Sequence, residues 1–293
     1  MSRPLDWNRQ GLRWPHRETS SFVECPGIRW HVQQAGDGPT VLLLHGTGAS
    51  THSWRGVMPQ LADTFQVVAP DLPGHAFTRA SASHMTLPAM AEAAWRLLDT
   101  LEIEPAMIVG HSAGAAIAMQ MIAARGADIP VVGLNPALAP FPGLGSQLFP
   151  LMAKMLFVNP AVPRIFSSLA RIGGDTGGFL RRATNSRIDA AGLRCYETLL
   201  GNSAHCRGAL AMMANWDLER LQAHLPGIES PVLLVHSEGD NAIPLDSVRK
   251  AARRLPRATL EILPKLGHLA HEEQPEQAAA RIAQFFAKQE GAG

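Results

Sequence analysis

With 293 residues, 46% of them hydrophobic and 17% charged, the chain is long enough to bury one large hydrophobic core and to carry an insertion. The formal net charge is only +1 and the basic residues are scattered, so charge gives no reason to expect nucleic acid as a partner. The 3 cysteines lack C-x-x-C spacing, which argues against a disulfide framework or a zinc knuckle and favours a reducing compartment.

Short apolar stretches alternate with helix-like stretches along most of the chain. Two short strands are predicted first, and the run TVLLLHG that follows is typical of a strand buried on both faces of a parallel sheet. The predicted strands are 21–24, 28–34, 40–46, 65–70, 106–110, 129–136, 231–237 and 258–263. The predicted helices between and after them are 53–61, 87–101, 115–124, 247–255 and 275–287. This alternation predicts an α/β fold with a mostly parallel, doubly wound sheet of about eight strands.

The alternation is interrupted between residues 137 and 225. This part has many prolines and no clear strand, but it contains helix-like segments such as 148–158 and 208–225. We interpret residues 136–225 as a helical cap inserted into one α/β core, which comprises residues 1–135 and 226–293.

No segment has the character of a membrane span or of a signal peptide. The N-terminal stretch MSRPLDWNRQGLRWPHR lacks an apolar core. The longest uncharged apolar run, near 113–124, is too short to cross a bilayer and suits a buried helix. We therefore expect a cytoplasmic protein without a transmembrane segment, and peripheral contact with a membrane stays open.

Directly after the predicted strand 106–110, the residues GHSAG at 110–114 match the pattern G-x-S-x-G. A serine on a sharp strand-to-helix turn adopts an unusual backbone conformation, and glycines on both sides relieve the crowding. Such a turn lifts the hydroxyl off the sheet and directs the N-terminus of the helix at it. Because the pattern also arises by chance, Ser112 is a nucleophile only if the chain also supplies a base and an acid.

A serine becomes nucleophilic when a base takes its proton, and the base needs a partner that fixes its tautomer. In a doubly wound sheet these groups are expected in loops that follow later strands. Asp240 follows the predicted strand 231–237, and His268 follows the predicted strand 258–263. The resulting order Ser, Asp, His predicts a catalytic triad of Ser112, Asp240 and His268.

Other residues compete for two of these roles. Glu238 is an alternative acid and His271 an alternative base, and a lone aspartate near a proline is often only a turn residue. Asn135 ends the strand before the cap, at a position where a carboxylate would serve as the acid. An amide cannot stabilise an imidazolium by charge, so we favour Asp240.

The oxyanion formed during acyl transfer needs hydrogen-bond donors that are fixed before the charge develops. The backbone N–H of Ala113, at the start of the helix after the serine, is predicted as one donor. The second donor is predicted in the loop HGTGAS at 45–50, where Thr47 is favoured over Gly48. A simple strand-to-helix turn without chemistry is the alternative interpretation of these glycines.

Residues 141–170 are rich in Phe, Leu, Met and Pro. Methionine adapts to irregular ligands, so an apolar pocket for a porphyrin or a long acyl chain is one interpretation. Packing of the cap onto the core is the alternative and has equal weight. The predicted pocket residues are Met152, Met155, Phe157, Phe166 and, beside the serine, His111. The sequence has no P-loop, dinucleotide fingerprint or metal-ligand cluster, so no cofactor and no metal are expected.

Several segments together resemble the α/β-hydrolase family in its capped form with a serine nucleophile: LLLHGTG, VVAPDLPGH, IVGHSAG, PVLLVHSEGDNAIP and LGHLAHEEQPE. They lie in both parts of the predicted core, and the resemblance implies the α/β-hydrolase fold. Ser112 excludes the branches that use an aspartate nucleophile. The chain departs from the family pattern at Ala76 and Ser237, where glycine is usual, and we expect only local changes in loop shape there.

A narrower resemblance links residues 11–78 to the magnesium-chelatase accessory proteins of bacteriochlorophyll biosynthesis. It rests on the segments GLRWP, SFVECPGIRWHVQ, HGTGASTHSWR and DLPGHAFT. The resemblance implies a role near magnesium insertion into protoporphyrin IX, with chelatase subunits as partners and a tetrapyrrole-like or other apolar small molecule as substrate.

The sequence therefore predicts a serine hydrolase that acts on an ester or a related carbonyl compound through an acyl-enzyme. The physiological reaction is not identified. The alternative hypothesis is a non-catalytic porphyrin-binding accessory protein or chaperone for magnesium chelatase, which keeps an inherited triad.

Overall fold

The computed structural model describes residues 4–140 and 175–291. Its strands are β1 (Ser20–Cys25), β2 (Ile28–Ala35), β3 (Thr40–Leu44), β4 (Gln66–Pro70), β5 (Arg79–Ala80), β6 (Met107–His111), β7 (Val131–Leu134), β8 (Val232–Ser237) and β9 (Ala258–Leu263). Its α-helices are α1 (Val57–Ala62), α2 (Leu87–Leu101), α3 (Ala113–Arg125), α4 (Thr176–Thr184), α5 (Ala190–Leu200), α6 (Ser203–Ala214), α7 (Leu218–His224), α8 (Leu245–Ala252), α9 (Ala270–Glu273) and α10 (Pro275–Glu290).

Within these residues the strands form one 9-stranded sheet in the order β1-β2-β4-β3-β6-β7-β8-β9, with β5 paired to β2. The strands from β4 to β9 along this order pair in parallel, whereas β2 pairs antiparallel with β1, β4 and β5. The predicted α/β sheet is confirmed. The strand that the sequence did not predict is β5, because two residues are too few to show a periodic pattern.

Both faces of the sheet are buried, since side chains of the central strands alternate between two apolar layers. In β3, Leu42 and Leu44 pack in the layer that contains α2 and α3, whereas Val41 and Leu43 pack in the layer of α1 and α10. Every residue of β3, β6, β7 and β8 is buried. Polar side chains of the central sheet therefore gather in the loops at the carboxyl ends of the parallel strands.

The described part of the connection between β7 and β8 contains α4 to α7. Side-chain oxygens cap the N-termini of these helices. The capping residues are Asp175, Asp189, Asn202 and Asp217. Asp217 begins a new helix after α6, so the predicted helical segment 208–225 is divided between α6 and α7. None of the helices in the described ranges is both long and apolar enough to cross a membrane. The division into core and cap stays a prediction.

A buried network joins the first strands to the loop after β4. Asp71 is 0% exposed, and its Oδ2 accepts a hydrogen bond from Nδ1 of His31 at 2.7 Å. Nε2 of His31 lies 3.1 Å from Oγ of Ser20. The N–H groups of Thr51 and Phe77 also donate to the carboxylate of Asp71. Burial raises the pKa of Asp71, but the charge and hydrogen bond of His31 outweigh it and lower the pKa to about 2. We call Asp71, His31 and Ser20 the Asp71 network.

Candidate active site

The turn between β6 and α3 holds Ser112 in a strained backbone conformation. Its φ of 50° and ψ of −111° lie outside the regions that serine ordinarily adopts. Close packing explains the two glycines, because a Cβ at Gly110 would clash with the backbone of Gly114, and a Cβ at Gly114 would clash with the carbonyl of Leu44. The N–H of Ser112 donates to the carbonyl of Leu134 at 2.9 Å and fixes the turn to the neighbouring strand. The serine thus stands on the sharp turn that the G-x-S-x-G pattern predicts.

Asp240 and His268 form a buried pair beyond the ends of β8 and β9. Nδ1 of His268 donates to Oδ2 of Asp240 at 2.8 Å, and the aspartate side chain is 0% exposed. Oδ1 of Asp240 accepts from the N–H groups of Ala242 at 2.7 Å and Ile243 at 2.9 Å, and Asn135 Nδ2 donates to Oδ2 at 2.9 Å.

These contacts determine the protonation of the pair. Burial raises the pKa of Asp240, but the hydrogen bond and charge of His268, with the N–H donors, outweigh it and lower the pKa below its ordinary value. An ionised carboxylate cannot donate, so the proton between the two side chains is on Nδ1 of His268. Nε2 of the same ring is then free to accept a proton.

The loop that carries His268 lies against the serine turn. Nε2 of His111 donates to the carbonyl oxygen of His268 at 3.0 Å, and the two rings are 4.8 Å apart. Burial and the charge of His268 lower the pKa of His111 to about 3, so this ring is neutral near neutral pH. Among the described residues the Ser112 hydroxyl has no hydrogen-bond partner, so the contact between Ser112 and His268 is not formed here. In ligand-free enzymes such contacts often tighten only when substrate binds.

The two competing residues lack the corresponding contacts. Glu238 is exposed, and within the described residues its carboxylate makes no hydrogen bond or ion pair with a histidine. His271 is buried between the rings of Trp54 and His111, at 4.8 Å and 4.2 Å, and neither ring nitrogen has a partner in the described ranges. Burial, with the charge of His111, holds the pKa of His271 well below its ordinary value. The geometry therefore pairs Asp240 with His268.

The loop after β3 passes directly beside the serine turn. A Cβ added to Gly46 would lie 3.1 Å from Cβ of Ser112. In the described part of the chain, neither the N–H of Thr47 nor that of Ala113 donates a hydrogen bond. Backbone N–H groups that lack a partner fit the predicted role of oxyanion donors. We call residues 46–49 the oxyanion loop.

The end of α4 and the residue after it contact the loops that carry Asp240 and His268. Nδ2 of Asn185 donates to the carbonyl of Gly239 at 2.9 Å, next to Asp240. The N–H of His268 itself donates to the carbonyl of Thr184 at 2.8 Å. The segment 184–186 therefore holds these two loops in place from the end of α4.

Asn135 and Ser237 are site residues whose contacts the sequence did not reveal. Asn135 is 1% exposed, and its Nδ2 donates to Asp240. Oγ of Ser237 donates to Oδ1 of Asn135 at 3.4 Å. The departure from glycine at Ser237 thus reaches Asp240 through Asn135, which is more than a change of loop shape. The other departure, Ala76, has a φ of 40°, in the left-handed region that favours glycine.

Of the predicted pocket residues, only His111 lies within the described part of the chain. His111 is 2% exposed, and its place in a substrate pocket stays a prediction. The other predicted pocket residues lie outside the described residues: Met152, Met155, Phe157 and Phe166. Within the described ranges, no group of three or more His, Cys, Asp or Glu side chains is arranged to hold a metal ion.

Comparison with known proteins agrees with this architecture. The Alpha/beta hydrolase family matches residues 41–281. The magnesium-chelatase 30 kDa subunit of Rhodobacter capsulatus is 43% identical over 267 residues, which cover 88% of this chain and 91% of that protein. The 2-hydroxymuconate semialdehyde hydrolase of Pseudomonas sp. strain CF600 is 27% identical over 287 residues, covering 94% of this chain and 96% of its own.

Solved structures show the same fold. The alpha/beta hydrolase fold protein of Burkholderia ambifaria superposes with a TM-score of 0.76 at 22% identity, covering 96% of this chain and 99% of its own. The lip1 lipase candidate of Acinetobacter baumannii AYE superposes with a TM-score of 0.81 at 22% identity, covering 100% of both chains. Both resemblances that the sequence motifs indicated are confirmed. The chain belongs to the alpha/beta hydrolase family and is similar over most of its length to a magnesium-chelatase 30 kDa subunit.

Proposed function

We propose that the protein is a serine hydrolase that cleaves an ester or a related carbonyl compound through an acyl-enzyme. The nucleophile is Ser112, the base is His268, and Asp240 orients the base. The observation that carries this proposal is the combination of the positive φ at Ser112 with the buried His268–Asp240 hydrogen bond. Backbone strain of this kind is concentrated at functional sites, which supports a reactive serine at this position.

The mechanism follows from the donors and acceptors at the site. Oγ of Ser112 attacks the carbonyl carbon while Nε2 of His268 takes the hydroxyl proton. The carbonyl oxygen becomes an oxyanion, which the N–H groups of Thr47 and Ala113 stabilise. The tetrahedral intermediate collapses, and the leaving alkoxide takes the proton from His268. A water molecule, deprotonated by the same ring, then attacks the acyl-enzyme, and collapse of this second intermediate returns the proton from His268 to Oγ of Ser112 and releases the acid.

Asp240 contributes by fixing the tautomer of the base and by stabilising the imidazolium that forms. Its lowered pKa supports this role, because the carboxylate stays ionised through the pH range in which a histidine works. Asn135 and the two backbone donors hold the carboxylate in place while His268 changes charge.

Similarity to the magnesium-chelatase 30 kDa subunit supports a role near the magnesium-chelatase step, with a small-molecule substrate and with chelatase subunits as partners. We further propose that residues 136–225 form a cap over the site. The free thiols of Cys25, Cys195 and Cys206 support a reducing, cytoplasmic location.

The first test is covalent labelling with a fluorophosphonate, followed by peptide mass spectrometry to locate the adduct. We expect one adduct, on Ser112, and loss of both the adduct and p-nitrophenyl ester hydrolysis in Ser112→Ala. Ser20→Ala is the matched control, because Ser20 also contacts a histidine that is bonded to an aspartate. Full esterase activity in Ser112→Ala overturns the proposal.

A second candidate function is a non-catalytic accessory protein that binds a porphyrin for magnesium chelatase. The observation that favours it is the identity of 43% to a chelatase subunit. Titration of Ser112→Ala with protoporphyrin IX separates the two functions, because binding by this variant needs no nucleophile. Unchanged absorbance and tryptophan fluorescence at micromolar porphyrin would remove the support for this candidate.

A further inference from the structure

His205, in α6, connects two loops of the candidate site. Its Nδ1 accepts a hydrogen bond from the N–H of Ala76 at 3.0 Å, and its Nε2 donates to the carbonyl of Gly48 at 3.1 Å. A backbone N–H can only donate and a carbonyl can only accept, so these two contacts fix the tautomer with the proton on Nε2. The side chain is 2% exposed, and water does not compete for either contact.

The charge state of the ring agrees with this arrangement. Burial lowers the pKa of His205 to about 4, although the hydrogen bond to Gly48 acts in the opposite direction. A second proton on Nδ1 would face the N–H of Ala76, and both partners would then be donors. The ring is therefore neutral near neutral pH, with both nitrogens used.

Sterics alone do not fix the oxyanion loop at Gly48. Gly48 has a φ of 77°, and a Cβ added to it would meet no atom within 4 Å. A glycine in open space leaves the backbone free to rotate. Thr47, whose N–H is the predicted oxyanion donor, directly precedes this glycine. The peptide after Gly48 carries both the carbonyl that His205 holds and the N–H of Ala49, which donates to the carbonyl of Gly46 at 3.1 Å. That carbonyl belongs to the same peptide as the N–H of Thr47, so the orientation of this N–H depends on what holds the carbonyl of Gly48.

Helix α6 contacts the same region at two further points. Gly208 packs so closely on Gly74 that a Cβ at Gly208 would overlap the carbonyl of Gly74. Oγ1 of Thr47 donates to Sδ of Met212 at 3.4 Å. His205, Gly208 and Met212 lie on one face of the helix, because they are separated by three and four positions. Helix α6 is therefore held close to the oxyanion loop by several contacts.

We propose that His205 is a positioning residue, which holds the carbonyl of Gly48 so that the N–H of Thr47 points at the developing oxyanion. This inference rests on the proposed serine hydrolase function. His205 does not touch the reacting atoms and acts only through the oxyanion loop. Its effect is therefore on the stability of the transition state and not on the binding of substrate.

The test compares three variants by p-nitrophenyl ester hydrolysis and by inhibition with a trifluoromethyl ketone, which forms a tetrahedral adduct with the serine. His205→Leu removes both contacts while it fills the space. His205→Gln keeps one donor and one acceptor near the same positions. Cys206→Ala is the matched control, since this neighbour in α6 is also buried but its Sγ donates to Leu200, away from the oxyanion loop.

We expect His205→Leu to lower kcat by about 10- to 100-fold, because a displacement of about 1 Å in a catalytic group has this effect. KM should change by less than about threefold, and the ketone should bind more weakly by the same factor as kcat/KM falls. His205→Gln should recover most of the kcat, and Cys206→Ala should keep it. A variant that acts only by loosening the fold would lower the melting temperature without this pattern.

The outcomes separate this proposal from the proposed function. An unlabelled, inactive wild-type protein overturns both together. A labelled and active wild type with an unchanged kcat in His205→Leu overturns the positioning role alone. If His205→Leu does not fold, His205→Asn replaces it, because its shorter side chain cannot bridge Ala76 and Gly48. A kcat for His205→Asn equal to that of His205→Gln then overturns the proposal.

Discussion

Two sets of one aspartate, one histidine and one serine lie on the same sheet: Asp71, His31 and Ser20 in the Asp71 network, and Asp240, His268 and Ser112 at the candidate active site. In the Asp71 network the chain of contacts is complete, at 2.7 Å and 3.1 Å. At the candidate site the Asp240–His268 bond measures 2.8 Å, but within the described residues the Ser112 hydroxyl is unbonded. By side-chain contacts alone, the first set is the better triad.

The backbone conformations of Ser20 and Ser112 favour the second set instead. Ser20 has a φ of −86° and a ψ of 137°, which is ordinary extended backbone, and its N–H donates to Arg17. Ser112 has a φ of 50°, and the neighbouring N–H groups of Thr47 and Ala113 have no partner among the described residues. Acyl transfer needs stabilisation of an oxyanion at fixed donors, and the predicted donors lie at Ser112. The comparison leads us to expect that the loop backbone, more than the three side chains, distinguishes a reactive serine from a structural one.

The largest expected effect comes from Asp240→Asn. The amide cannot hold the required tautomer of His268 in the same way, so kcat should fall by about 10⁴-fold. The urea midpoint should fall as well, because the buried carboxylate accepts from donors on both oxygens and the amide keeps only one oxygen, so kcat is measured on the folded protein. Ester hydrolysis and urea unfolding of the same sample measure both quantities. A kcat within tenfold of wild type would contradict the role of Asp240.

Asp71→Asn is the matched change in the Asp71 network, and we expect it to lower the stability of the protein and to leave kcat nearly unchanged. The substitution removes a fully buried charge whose partners remain, which typically lowers the free energy of unfolding by about 3 kcal/mol. The kcat of the folded variant should stay within about threefold of wild type, since Asp71 does not touch the reacting atoms. Loss of activity without loss of stability would show that the Asp71 network takes part in the chemistry.

The pH dependence of stability sharpens the same contrast. The pKa of Asp71 falls from 3.8 to about 2 on folding, so its stabilising effect is complete above 3.8 and is lost as the pH falls toward 2. The difference in the free energy of unfolding between wild type and Asp71→Asn should therefore be constant from pH 7 to pH 5. It should shrink between pH 4 and pH 3. Urea titrations of both proteins at each pH measure it, and a difference that grows on acidification would be the wrong sign.

Ser20→Ala should have the smallest effect. The hydroxyl is half-buried, and its loss leaves Nε2 of His31 without one partner, at a cost of about 1 kcal/mol. Fluorophosphonate labelling and kcat should be unchanged. A labelled Ser20 in the wild type would mean that a complete chain of side-chain contacts is enough for reactivity, and the contrast between the two serines would fail.

Much of the fold was predictable because the central strands are continuous apolar runs. The elements β3, β6 and β8 are buried on both faces, and such runs are visible without knowledge of their neighbours. The predicted helix 53–61 is instead a 3-10 turn, Thr51–Trp54, followed by α1. Ser50 caps the short turn because its side chain accepts a hydrogen bond from the N–H of His52. Such a local hydrogen bond competes with the formation of a regular helix and is not visible in the apolar periodicity.

The candidate site was predictable only where a residue follows a recognisable strand. Ser112, Asp240 and His268 all do, and their order along the chain supplied the hypothesis. His205 contacts Gly48 across 157 positions of sequence, and Ser237 contacts Asn135 across 102. No motif links such residues, because their proximity depends on how the helices between β7 and β8 dock on the sheet.

The segment 184–186 has a consequence for how this protein can be altered. Its carbonyl and amide groups bond to the loops of His268 and Asp240, so the shape of these loops depends on the end of α4 being in place. The helices between β7 and β8 are therefore not independent of the candidate site. A chimera that takes the helices of a relative must also retain contacts equivalent to those of Thr184 and Asn185, or it will fold with an acid and a base that no longer meet.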